Sequence, residues 1–217
     1  MDNFFSKNFF ENWLNEASPE IKDWFQKEAD YLKERIKPNS TILDVGCGFG
    51  RHIQLFSSFS KEVVGIDNDN VMVGKAREIL KNFDNVRLFL QDAEKMEFPD
   101  GTFDYVICAN NTFGNFQETK SNILNQMKRV CKKDGEIIIS VYSENALETR
   151  KNDYEKVGLH ITKIEGGKVT TKEGLISEQF SKEQLIQIFS PLGFIININK
   201  LTPISYICVL KKMNKRF

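Results

Sequence analysis

The run Thr41-Ile42-Leu43-Asp44-Val45 passes directly into glycines at positions 46, 48 and 50, and then into Arg51-His52-Ile53, where helical spacing begins. A chain written this way must leave a short apolar strand, turn sharply, and enter a helix with almost no side-chain bulk in between. Three glycines in five residues let a ligand approach the main chain closely. The start of the helix adds N–H groups that have no intrahelical partner. Strand, glycine loop and helix in that order form the context of a nucleotide-binding turn. The spacing Gly-x-Gly-x-Gly differs from both a P-loop and the Gly-x-Gly-x-x-Gly of dinucleotide enzymes.

Two further strand tips extend the pattern. Val63-Val64-Gly65-Ile66 ends at Asp67, about twenty residues beyond the first glycine, where an acid accepts both hydroxyls of a ribose. Val86 to Leu90 leads into Gln91-Asp92-Ala93, a second acid at a strand tip.

With these three segments in register, the chain from about Ser40 onward resembles the class I S-adenosylmethionine (SAM)-dependent methyltransferases. The resemblance implies a three-layer Rossmann-like α/β fold with a seven-stranded, mostly parallel sheet. Its strand order would be 3-2-1-4-5-7-6, with strand seven antiparallel. It implies SAM as cofactor and S-adenosylhomocysteine as product. The cofactor residues it implies are Asp44, Gly46, Cys47, Gly48 and Gly50, then Asp67 and Asn68, then Asp92 and Ala93, and finally Ala109. It does not name the methyl acceptor.

The 217 residues suit one domain. Lys plus Arg and Asp plus Glu both number 30, and this balance argues against a nucleic-acid partner, which more often meets a basic surplus. Cys47, Cys108, Cys131 and Cys208 show no paired spacing and no nearby histidine cluster, so buried thiols are expected and a metal is not. No apolar run approaches a membrane span, and Met1-Asp2-Asn3-Phe4-Phe5 lacks a basic signal-peptide start. A cytoplasmic monomer or homodimer is expected.

Before the first strand, Phe4, Phe5, Phe9, Phe10 and Trp13 make an aromatic terminus. It either docks on the domain surface or, with the helix up to residue 39, forms a lid. Ser18-Pro19 opens that helix, whose Ile21, Phe25, Leu32 and Ile36 fall on one face. Met72, Ala76, Ile79 and Leu80 mark a later helix. Phe103 to Cys108 reads as strand four, Ile123, Leu124, Met127 and Val130 as another helix face, and Lys132-Lys133-Asp134-Gly135 as the turn before a strand from Glu136. Residues 142–180 break the rhythm. They read as a substrate-side insertion carrying a small hairpin, His160–Ile164 with Lys168–Lys172, and few apolar anchors. Ser181 to Gln184 is a capping box, and two last strands meet at Thr202-Pro203.

The tip of strand four reads Ala109-Asn110-Asn111-Thr112-Phe113. Asparagines here either serve a left-handed turn or offer carbonyl acceptors to a reacting amine. The segment is similar to the corresponding one in glycine and sarcosine N-methyltransferases, which nominates Asn111, Asn110 and Thr112 as catalytic. Methyl transfer is mostly alignment, and no His, Asp, Glu or Cys follows Cys108 in this loop. An acceptor that is already nucleophilic, an amine of a small molecule, fits best. RNA or protein methylation and a non-catalytic SAM-binding module are the alternatives. Tyr142, Arg150, Tyr154 and His160 are candidate substrate contacts. His52, inside the helix after the glycine loop, is expected to be structural.

Overall fold

Ser18 and Pro19 act as their types dictate. The Ser18 hydroxyl accepts the Ile21 N–H at 3.4 Å, and proline takes the first helical position. The computed structural model describes Trp13 and residues 15–213. The readings of Phe4, Phe5, Phe9 and Phe10 lie outside the described residues. Helix α1 (Pro19–Arg35) leads into β1 (Thr41–Val45), α2 (Arg51–Ser57), β2 (Glu62–Asp67), α3 (Asn70–Ile79) and β3 (Val86–Leu90). The second half runs β4 (Phe103–Cys108), a short α4 (Thr112–Asn115), α5 (Lys120–Val130) and β5 (Cys131–Tyr142). An insertion follows, made of α6 (Leu147–Lys156), β6 (Ile161–Glu165), β7 (Lys168–Thr171) and β8 (Ile176–Glu178). Then come α7 (Lys182–Phe189), β9 (Phe194–Thr202) and β10 (Ser205–Lys212).

The main sheet has the order β3-β2-β1-β4-β5-β10-β9. Strands β1 to β5 pair in parallel, and β10 is antiparallel to both β5 and β9. With the insertion strands set aside, this is the expected order 3-2-1-4-5-7-6. Alternation along the strands splits the core into two layers. Leu43, Val45 and Val106 face α5 and α7, through Leu124, Met127, Leu185 and Phe189. Ile42, Val63 and Ile107 face α1, α2 and α3, through Leu32, Ile53, Phe56 and Ala76. Each such side chain stabilises the fold by roughly 1.5–3 kcal/mol on burial.

Three local readings are corrected. Lys132 to Gly135 do not form a turn; β5 begins at Cys131, which pairs with Phe103. Gly135 is needed for close approach instead, since a Cβ there would sit 2.6 Å from the Asp104 carbonyl. Ile79 is 44% exposed, and Val73 occupies the buried stripe of α3. The insertion carries a helix and three antiparallel strands, not a hairpin alone. It also owns a small core of Tyr154, Leu159 and Val169, flanked by Val157 and Leu175. Helix α6 escaped the periodicity test because its buried face is polar: Arg150 and Asp153 are buried beside Tyr154. Asp153 accepts the Ser18 N–H and hydroxyl, each at 3.0 Å, and so ties the insertion to the start of α1. No helix among the described residues is long and apolar enough to cross a membrane.

Candidate active site

Parallel strands all point their C-terminal ends one way, so the sheet order sets the order of their tips. Asp92 lies beyond β3, Asp67 ends β2, the glycine loop follows β1, Asn110 follows β4, and Tyr142 ends β5. The loop is tied down by backbone bonds: the N–H groups of Gly46 and Cys47 donate to the Ile66 carbonyl at 2.8 and 3.0 Å. Asp67 Oδ2 accepts the Gly48 N–H at 2.8 Å, and Oδ1 accepts the Asp69 N–H at 2.9 Å. Burial pushes the Asp67 carboxyl up, opposed by those two N–H groups. Gly46 and Gly48 both have positive φ. A Cβ on Gly46 would strike Thr112 Cγ2 at 2.2 Å, whereas a Cβ on Gly48 would meet nothing within 4 Å. One glycine serves packing; the other leaves an open cradle. Asp92 accepts the Glu94 N–H at 2.9 Å and fixes a one-turn helix over Ala93–Lys95.

A buried ionic cluster underlies the loop. Glu28 of α1 is fully buried, and its Oε2 lies 2.8 Å from both Arg51 Nη2 and His52 Nε2. Oε1 accepts the Asn110 N–H at 3.2 Å and the Ser140 hydroxyl. Burial alone raises this carboxyl, but His52, Arg51 and Ser140 outweigh it and bring it down to about 2. Asp44, buried on β1, lies 4.0 Å from His52 Nδ1, and its Oδ2 has no hydrogen-bond partner. Burial pushes the Asp44 carboxyl up to about 6, against the pull of His52 and Arg51 and with a push from Asp67 and Glu28. The Arg51 guanidinium stacks 4.7 Å from the Phe25 ring, and its Nε is buried without a partner.

At the tip of strand four, Asn110 and Asn111 both adopt left-handed backbone, with φ of 54° and 60°. Asn111 Oδ1 accepts the Tyr142 N–H at 3.0 Å, and its Nδ2 donates to Ser177 Oγ at 3.0 Å. Ser177 also accepts the Tyr154 hydroxyl at 3.1 Å. Asn111 therefore clamps the β4 tip to β5 and to β8 of the insertion. The side-chain carbonyl of Asn110 is buried without a partner.

A cavity of about 630 Å³ runs along these tips. Of the cofactor residues read from the sequence, Gly46, Cys47, Gly48, Asp67, Asn68, Asp92, Ala93 and Ala109 line it. Asn110, Asn111, Thr112, Tyr142 and Tyr154 line it as well. Asp44, which is buried, and Gly50 are not among the lining residues; Gly50 caps α2, where a Cβ would meet Leu80 Cδ1 at 2.5 Å. Arg150 and His160 are not among the lining residues. Arg150 is fully buried and donates to the carbonyls of Gly167 and Ser177 and to Gln179. His160 is exposed and pairs with Glu173 at 2.6 Å. Glu28, Ser140 and Ser177 were not anticipated: each is a single polar residue on an otherwise ordinary segment, recruited by tertiary contact. The four cysteines are buried and free. No cluster of three or more metal-ligating side chains occurs among the described residues.

Residues 36–189 match the family described as "Methyltransferase domain". The chain is similar to the ubiquinone/menaquinone biosynthesis C-methyltransferase UbiE of Citrobacter koseri, 31% identical over 133 residues, covering 58% of this chain and 52% of that protein. It spans about half the length of the curated relatives it matches. Its fold is similar to that of the PH0226 protein from Pyrococcus horikoshii OT3, with a TM-score of 0.75, 24% identity, and coverage of 96% of this chain and 100% of that one. It is also similar to a SAM-dependent methyltransferase from Aquifex aeolicus, with a TM-score of 0.67, 20% identity, and coverage of 92% and 96%. The chain belongs to the methyltransferase domain family, with the Rossmann-like class I fold of SAM-dependent methyltransferases.

Proposed function

We propose that the chain methylates a small molecule at nitrogen, with SAM as the methyl donor. The residues present fit that donor. Asp67 and Asp92 stand at the tips of β2 and β3, Gly48 leaves an open cradle, and Asp44 Oδ2 and Arg51 Nε lack internal partners. Asp67 and Asn68 would hold the ribose, and Asp92 and Ala93 the adenine. The Asp44 carboxyl, with Oδ2 free, and the Arg51 guanidinium, with Nη2 on Glu28 and Nε free, suit the ammonium and carboxylate of the methionine end. Bound there, SAM supplies an electrophilic methyl on a sulfonium.

The rest of the work is alignment and exclusion of water. Asn110, Asn111 and Thr112 border the place where an acceptor meets the methyl, and the insertion with Trp13 and Phe25 roofs it. Tyr142 and Tyr154 line the acceptor side. The one observation that carries the nitrogen assignment is the chemistry of that border: amides and hydroxyls, with the His52 imidazole of the cavity engaged by Glu28, and Cys108 buried with its thiol pushed up by burial. An oxygen or carbon acceptor ordinarily needs a base. UbiE is by name a C-methyltransferase, so the atom is the point to test. Labelled SAM offered with panels of amines, phenols and quinols, and read by mass spectrometry, decides it. Amines should be methylated; methylated phenols or quinols beside untouched amines would contradict the assignment.

A further inference from the structure

The order of the strand tips divides the cavity. The acids Asp92 and Asp67 and the glycine loop take the side of β3, β2 and β1, and the other side lies beyond β4 and β5 under the insertion. Tyr142, Tyr154, Leu159 and Leu175 wall that second side, with Trp13 and Phe25 from the N-terminal segment. Trp13 packs edge-on against Phe25, with ring centroids 6.3 Å apart. Arg150 lies behind the wall and not on it, with its Nη atoms on two backbone carbonyls and Gln179 and its Nε unpartnered. His52 and Arg51, the latter stacked on Phe25, both pair with Glu28. Of the polar groups on that side, two matter for a ligand. Asn110 Oδ1 has no partner, and the Ser177 hydroxyl accepts from Asn111 and Tyr154, which leaves its own proton to give.

We infer that the acceptor class is the neutral amino-substituted aromatic heterocycle; the inference rests on the methyl-transfer reading above. A flat apolar body suits the aromatic wall. An exocyclic N–H donates to Asn110 Oδ1, and a ring nitrogen accepts from Ser177. An alkylammonium or a carboxylate would be stripped of water with no unpaired counter-charge in the wall to meet it. An aromatic amine is uncharged near neutral pH, so its lone pair is available without a protein base. That lone pair forms the N–CH3 bond as the methyl–sulfur bond breaks and its electron pair stays on sulfur. The nitrogen then releases one proton to water.

The test uses the whole chain saturated with S-adenosylhomocysteine, which binds as product and cannot transfer a methyl. The probes are 3-aminoquinoline, its N,N-dimethyl analogue, quinoline-3-carboxylate and cyclohexylmethylamine, with affinities read by calorimetry. The aminoquinoline should bind about tenfold or more tighter than the carboxylate and the alkylamine. Asn110→Gly removes the carbonyl while keeping the left-handed backbone relaxed. It should weaken the aminoquinoline about tenfold and leave the dimethyl analogue unchanged. Equal or tighter binding of the carboxylate or the alkylamine, or an Asn110→Gly effect shared by both quinolines, would overturn the acceptor class and leave methyl transfer standing. Failure of S-adenosylhomocysteine itself to bind would overturn both.

Discussion

Glu28 Oε2 and His52 Nε2 meet at 2.8 Å, joining the helix before the first strand to the helix after the glycine loop. Both side chains are buried, and the same carboxylate reaches Arg51, Ser140 and the Asn110 backbone. One residue thus fixes the glycine loop relative to the strand-four tip. Removing one partner from a buried ionic group typically costs about 3–5 kcal/mol. Glu28→Ala should lower the thermal midpoint by about 10 °C or more. A midpoint within about 2 °C of the parent would mean that the cluster is not holding these elements together.

The two buried carboxyls give opposite pH signatures. Glu28 is depressed from 4.5 to about 2, so its contribution is present above pH 4.5 and is lost as pH falls toward 2. Asp44 is raised from 3.8 to about 6, so its contribution is present below pH 3.8 and is lost as pH rises through 6. Asp44→Asn mimics the protonated form at every pH. Denaturant titrations should therefore show the parent losing on the order of 3 kcal/mol relative to Asp44→Asn between pH 4 and pH 7. Parallel stability curves for the two proteins would remove Asp44 as the titrating group.

Asn111 holds the insertion through Ser177, so a change there should be felt on both sides of the contact. Asn111→Asp keeps the oxygen that meets the Tyr142 N–H and loses the donor to Ser177. Hydrogen exchange in β6 to β8 should quicken, and the acceptor KM should rise about tenfold while S-adenosylhomocysteine affinity holds. Unaltered exchange with a fall in kcat alone would mean that Asn111 touches the reacting atoms.

What could be read from the sequence was what local pattern encodes. The alternation of apolar runs with helical stripes pointed to a parallel sheet, the family resemblance supplied its strand order, and the glycine loop and strand-tip acids marked one wall of the cavity. Gly46, Gly48, Asp67 and Asp92 were legible because backbone conformation and strand ends place them. The second wall was not legible, because tertiary contacts make it. Glu28 looks like any helix surface acid until Arg51 and His52 close on it, and Ser177 acquires a role only through Asn111 and Tyr154. Arg150 misled for the same reason: its partners are carbonyls of the insertion, which no spacing reveals. Helix α6 has too few apolar residues for periodicity to register, since Arg150 and Asp153 fill its buried face.

Calorimetric titration of S-adenosylhomocysteine into the parent and into Asp67→Ala tests the central claim most directly. If the carboxylate at the tip of β2 holds the ribose, the parent should bind one equivalent. The variant should bind at least about tenfold more weakly, since charge-assisted hydrogen bonds contribute roughly 1.5–3 kcal/mol each. Its circular dichroism should remain that of the parent. Equal affinity in two equally folded proteins would contradict the account and remove Asp67, and with it the strand-tip reading, from the cofactor site.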